Sequence, residues 1–367
     1  MSGKPKVLFI DGEGPLVLKD LARDMATRIH RFYEPTIPGH LYFDTLSLYN
    51  AFLSEEGQYR NQPGDTLALL VPHLLAYGIR DEDLREEAEK TVIAPGVVNL
   101  IEALKQEGWE IRIISSAYST LWEVVGPRLG IAPEQIASSQ LSLNEMRTRL
   151  GWRNKLSRLV KLQERSVFRD RDNLEFAQDR FKRGEEIISA WQECQSETFP
   201  LIHNFYDQFL PREAFDPLNE VRVIGGSRKI DEIQRFSQEL SLSPDQIIFV
   251  GDSITDDQAQ RFVRENGGLA VALNGDRYAI RNAGVAVALE DRICLKRLLD
   301  AWAEGGLPQA QLFVESQGNS LGGKERQAGA LTNEAHFSLV NPDNIDTLVE
   351  IHKAFREKSR EGAVPLI

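Results

Sequence analysis

The apolar positions of this chain follow two rhythms. Short unbroken runs have the length and β-branched content of buried strands: VLFI at 7–10, EIRIIS at 110–115, QIIFVGD at 246–252, GLAVAL at 268–273 and GVAVAL at 284–289. VRVIG at 221–225 reads the same way. Between the runs, apolar residues recur at helical spacing in APGVVNLIEALKQEG (94–108), KIDEIQRFSQEL (229–240) and RYAIRNA (277–283). Apolar strands alternating with helices predict an α/β fold, a Rossmann-like doubly wound parallel sheet covered on both faces.

The α/β segments are not contiguous. The predicted core comprises 1–15, 94–142 and 218–305. Residues 16–93 form a helical insert, with LARDMATRIHRFY (21–33) and DTLALLVPHLLAYG (65–78) as its clearest helices. Residues 143–217 form a second helical insert containing NKLSRLVKLQ and DRFKRGEEIISAWQEC. A C-terminal extension, 306–367, follows. Its GNSLGGKERQAGALTNE (318–334) reads as a glycine-rich linker. Its NIDTLVEIHKAF (344–355) places Ile345, Leu348, Val349, His352 and Phe355 on one stripe, to be covered by the body or by a second copy of the chain. A homodimer is therefore open. No internal repeat of 20–50 residues is present.

Composition narrows the function. With 367 residues, the usual domain size of about 150 predicts two to three domains. The formal charge of −12 argues against nucleic acid and anionic membrane as partners. The exception is 147–183, with twelve Lys or Arg against five acids, which reads as a solvated helical face or as a surface attracting anions. No apolar run approaches the roughly 18–20 residues that cross a bilayer, and VLFI is too short for a signal-peptide core. A soluble cytoplasmic protein is expected. Cys194 and Cys294 alone make no disulfide framework, and none of the six histidines stands at metal-binding spacing.

The chemistry gathers at strand ends. Asp11 and Glu13 follow the first strand, Ser115 and Ser116 the second, and Asp252 and Asp256 the third in GDSITDD; Lys229 opens a helix after GGSR. In an open parallel sheet, ligands bind outside the carboxyl ends of the strands, where the strand order reverses. Four carboxylates in one crevice cannot all stay ionised without a cation. Hard oxygen ligands that leave positions to water and phosphate suit Mg²⁺. Lys229 and a serine hydroxyl can hold phosphoryl oxygens, and a carboxylate can attack phosphorus.

These residues resemble the motifs of the haloacid-dehalogenase-like (HAD) superfamily of aspartyl-phosphate phosphohydrolases. LFIDGEG is similar to the first motif, hhhhDxD, and IRIISSAY to the second, a strand closing on Ser or Thr. Lys229 matches the third-motif lysine, and VGDSITD the fourth, GDxxxD. The resemblance covers about half the chain. It implies Asp11 as nucleophile and Mg²⁺ ligand, with residue 13 offering its carbonyl to the metal and its side chain as general acid/base. It implies Ser115 and Ser116 as phosphoryl ligands, and Lys229 as the bridge between Asp11 and phosphate. Asp252 would be a metal ligand, and Asp256 either a ligand through water or the residue orienting Lys229.

Position 13 departs from the pattern, because the family's phosphatases usually have Asp there. One methylene moves the acid by about a bond length, and ~1 Å can cost roughly 10²-fold in rate. DGEGP also resembles a sub-group found mainly in archaea and anaerobes, some of whose members are assigned as accessory subunits of energy-converting hydrogenases. The inserts sit where the family carries caps, which close over the site and exclude water. The expectation is a Mg²⁺-dependent phosphatase of a small phosphorylated metabolite. The alternative is a non-catalytic or regulatory protein of the same fold that binds a ligand or partner.

Overall fold

Seven strands form one sheet in the order β3-β2-β1-β4-β5-β6-β7. They are β1 (Val7–Ile10), β2 (Glu110–Tyr118), β3 (Ile136–Ser139), β4 (Ile248–Gly251), β5 (Leu269–Leu273), β6 (Val285–Leu289) and β7 (Ala335–Leu339). The first six run parallel, and β7 is antiparallel to β6. The computed structural model describes residues 5–33, 38–55, 61–150, 154–167, 198–212, 215–320 and 335–359, together with residue 175. About half of the basic stretch at 147–183 lies outside them, as do DRFKRGEEIISAWQEC, Cys194 and most of the glycine-rich segment 318–334.

The sheet is buried on both faces, which is why its strands read as unbroken apolar runs. Val7 and Phe9 join Ile233, Phe236, Phe249 and Val263 on one side, while Leu8 and Ile10 face the larger core on the other. Helices flank it at Val97–Gln106, Ser119–Arg128, Ser227–Glu239, Asp257–Glu265 and Lys296–Ser320. The fold is thus the expected α/β, Rossmann-like sheet with helical inserts.

Residues 221–225 do not form the strand that their sequence suggests. Val221, Val223 and Ile224 are buried, but serine hydroxyls take the place of a neighbouring ladder. Ser116 Oγ donates to Ile224 O at 2.8 Å, and Ile224 N donates to Ser139 Oγ at 3.0 Å. Neither β3 nor β7 was legible in the sequence. IASS is short and half polar, and AHFSL lies beyond the glycine-rich segment.

The two inserts pack on each other. The first contributes helices Leu21–Tyr33, Gly39–Glu55, Thr66–Ala76 and Asp81–Glu89, and the second Leu143–Leu150, Asn154–Val167 and Thr198–Asn204. A buried polar network ties them together. His73 Nδ1 lies 2.6 Å from Glu164 Oε1, and His73 Nε2 lies 2.7 Å from Tyr42 Oη and 2.9 Å from Tyr206 Oη. Such groups are tolerated inside only when hydrogen-bonded, and these satisfy one another across the inserts.

Helix Ile345–Ser359 docks on the far end of the sheet. Leu348 and Val349 of the predicted stripe pack on Ala272, Ile280 and Ala286. His352 Nδ1 accepts the Gly275 N–H at 2.8 Å. Burial, with Arg356 and His336 nearby, pushes the His352 imidazole down to about 3. A depressed folded-state pKa contributes stability above the unfolded value near 6.5, and that stability is lost as pH falls toward 3. Amide exchange over 345–359 should therefore accelerate between pH 6.5 and 4, and His352→Gln should flatten that dependence. Exchange independent of pH, once corrected for intrinsic rates, would refute the assignment.

Candidate active site

The chain order of the strands reverses between β1 and β4, so the carboxyl ends of these two neighbours open the crevice. Asp11 caps β1, its N–H donating to Val250 O at 2.8 Å. Asp252 follows β4. Asp11, Asp252 and Asp256 are buried, and each presents one carboxylate oxygen within 4.8 Å of the others.

Lys229 sits at the centre of this group. It lies in the first turn of Ser227–Glu239 and is wholly buried. Its Nζ donates to Asp256 Oδ1 at 2.6 Å and stands 2.9 Å from Asp11 Oδ1. Burial alone would push the ammonium down, but Asp11 and Asp256 beside it outweigh burial and hold it above its ordinary value. Asp11 is pushed up to about 7 by burial and by Asp256, with Lys229 opposing. Two acids and one ammonium thus leave the pocket short of positive charge.

Asp256 is held in place by its neighbours. Its Oδ2 accepts the N–H groups of Asp252 at 2.9 Å and Ser253 at 3.1 Å, while Oδ1 takes the lysine. It orients Lys229 and the loop carrying Asp252. Asp11 Oδ1, by contrast, is buried and, its ion pair apart, accepts no hydrogen bond among the described residues. A buried carboxylate oxygen with lone-pair capacity beyond its lysine partner, beside a second carboxylate, suits a divalent cation.

The turn after β1 is built around Gly14. Its φ is +94°, and a Cβ there would lie 2.0 Å from Asp252 Oδ2, so backbone and carboxylate meet where a side chain would intrude. Arg292, buried and pushed down to about 10 chiefly by burial, holds this turn. It donates from Nη2 to Gly14 O at 3.3 Å and from Nε to Pro15 O at 3.2 Å. Nothing in the sequence marked Arg292.

Glu13 is half-buried, and its Oε1 accepts the Leu21 N–H at 3.0 Å, at the start of the first insert helix. Burial first and Asp20 second push the carboxyl well above its ordinary range, against the Leu21 N–H.

The two serines differ. Ser116 borders the cavity, but its proton is donated to Ile224 O. Ser115 is fully buried against Gly12, and its Oγ accepts the Ala117 N–H at 3.2 Å. Its own proton has no acceptor among the described residues. Both side chains lie at the bulge where β2 loses register with β3.

A cavity of about 150 Å³ opens above these groups. The core lines it with Asp11, Glu13, Asp252 and Asp276, the first insert with Arg23, Phe43, Asn50 and Leu67, and the C-terminal helix with Arg356. The insert is latched over it. Asp65 pairs with Arg228, and Gln62 Oε1 accepts Ser227 N–H at 3.0 Å, both at the start of the helix bearing Lys229.

Gene product AF1437 from Archaeoglobus fulgidus matches this structure over 97% of each chain, with a TM-score of 0.75 and 18% identity. The two proteins share a fold. Weaker similarity extends to a substrate-bound phosphoserine phosphatase, with TM-score 0.45, 12% identity, and 80% of this chain and 97% of that one covered. A HAD family hydrolase from Salmonella enterica serovar Typhi follows, with TM-score 0.42, 10% identity, and 74% and 64% covered. No family model and no curated protein matches the sequence. Among the described residues no helix is long and apolar enough to cross a membrane.

Proposed function

We propose that the chain is a Mg²⁺-dependent phosphohydrolase of small phosphate monoesters. The observation that carries this reading is the buried Lys229 ammonium between Asp11 and Asp256, with Asp252 completing a carboxylate triad at the strand-order reversal. Asp11 and Asp252, with the carbonyl of residue 13, would hold the cation. When bound, Mg²⁺ neutralises phosphoryl charge and orients the phosphate.

The remaining steps belong to the protein. Lys229 and the Ser115 hydroxyl bind phosphoryl oxygens. An Asp11 oxygen attacks phosphorus as the ester P–O bond breaks, and the leaving oxygen takes the bonding pair together with the proton of Glu13. Water then attacks the aspartyl-phosphate, giving its proton to the Glu13 carboxylate. The Asp11–phosphorus bond breaks, releasing inorganic phosphate and restoring Asp11. The closed insert keeps bulk water from the intermediate.

Glu13 also hydrogen-bonds to Leu21, so opening of the insert and the position of the acid are coupled. That bond favours the second reading, a non-catalytic protein in which Glu13 only caps a helix. The two part in one experiment, turnover of an aryl phosphate in Mg²⁺, in EDTA and in Glu13→Gln. Catalysis predicts loss in EDTA, and a fall of roughly 10²–10⁴-fold in Glu13→Gln with Mg²⁺ binding retained. Turnover that persists in EDTA, or in Glu13→Gln at the parent rate, would sink this mechanism.

A further inference from the structure

The C-terminal extension delivers a guanidinium to the cavity. Arg356 lies one turn beyond His352 on the docked helix and donates from Nη2 to Gly275 O at 3.0 Å. Its Nε is buried and has no acceptor among the described residues. A buried donor left unpaired is costly, so an acceptor supplied from the cavity would relieve it. The neighbouring Asp276 offers it charge but no hydrogen bond among the described residues. Its oxygens accept the N–H groups of Ile254 at 3.2 Å and Ala279 at 2.9 Å. Arg23, the other arginine on the wall, has its fork closed on Asp44 at 2.9 and 3.2 Å.

Position across the sheet assigns Arg356 a separate task. The phosphoryl ligands stand over β2 and β1, and the metal ligands over β1 and β4. Arg356 is anchored to Gly275, just past the end of β5 and on the side of Asp252 away from β1, where the Asp276 N–H donates to Asp252 O at 2.8 Å. Lys229 already occupies the nucleophile.

We propose that Arg356 is a specificity-determining residue that binds a second anionic group of the substrate. The substrate class is then a phosphomonoester bearing a carboxylate or a second phosphate. This rests on the phosphohydrolase reading above. A guanidinium fork suits either acceptor, and one charge-assisted contact is typically worth about 10- to 100-fold.

Three matched compounds test it: propyl phosphate, 3-phosphooxypropanoate and propane-1,3-diyl bisphosphate. The expected result is kcat/KM at least about 10-fold higher for one or both anionic compounds than for propyl phosphate. The better of the two identifies the second group. In Arg356→Met that ratio should collapse toward one, chiefly through KM, and Arg356→Lys should retain part of it. Equal ratios in the parent and Arg356→Met would overturn the inference. If the parent hydrolyses none of the three, the phosphohydrolase reading fails and calorimetric binding to the Mg²⁺-loaded protein decides. Tighter binding of an anionic compound than of propyl phosphate, lost in Arg356→Met, supports Arg356. No such difference refutes it.

Discussion

Asp11→Asn should lower turnover of an aryl phosphate in Mg²⁺ by at least about 10⁴-fold while leaving the protein folded. The amide keeps the size and shape of the side chain but cannot attack phosphorus. The stability side of this prediction is the more diagnostic. Asp11 is pushed up to about 7 by burial and by Asp256, so the metal-free fold holds this carboxylate at a cost. Lys229 would keep its hydrogen bond to Asp256 in the variant. Metal-free Asp11→Asn should therefore unfold at the same temperature as the parent or higher at pH 8. It should also lose most of the stabilisation that Mg²⁺ gives the parent, because a ligand that binds only the folded state stabilises it by mass action. A variant with parent-like turnover would remove Asp11 from the mechanism.

Lys229→Met should separate from Asp11→Asn by costing both properties. Methionine fills a similar volume but leaves Asp11 and Asp256 facing each other without a cation. Removing one partner of a buried ion pair costs about 3–5 kcal/mol, as an uncompensated charge remains inside. Urea unfolding of the metal-free variant should fall by that amount at pH 8. Turnover should fall by roughly 10³-fold or more, with loss of a preorganised positive group at the phosphoryl site. A Lys229→Met protein as stable as the parent would mean that the ammonium is not the counter-charge described here.

The strand-end carboxylates were legible in the sequence for a geometric reason. A parallel sheet brings all its carboxyl ends to one edge, so Asp11 and Asp252 must be neighbours once β1 and β4 are. Asp256 and Lys229 followed from their offsets on the adjoining turn and helix. What stayed hidden depends on contacts between distant segments. Arg292 reaches the DGEGP turn from just past β6, and Arg356 enters from helix Ile345–Ser359. Neither carries a local pattern. The difference between Ser115 and Ser116 rests on a bulge and on Ile224, which the sequence suggested was a strand residue. The union of the two inserts depends on His73 meeting Glu164, a pairing that periodicity cannot express.

The position of β1 in the sheet bears on the order of assembly. Its partner on one side, β4, joins it by pairing Phe9 with Phe249, which closes a loop of about 240 residues. The insert helices lie inside that loop and can collapse on one another as they emerge from the ribosome. Asp11 then waits for the strand that brings Asp252, and longer still for the helix that carries Arg356. Contacts so far apart in the chain are slow to form. Hydrolytic competence should thus be the last property that a refolding chain recovers, well after its helical signal has returned.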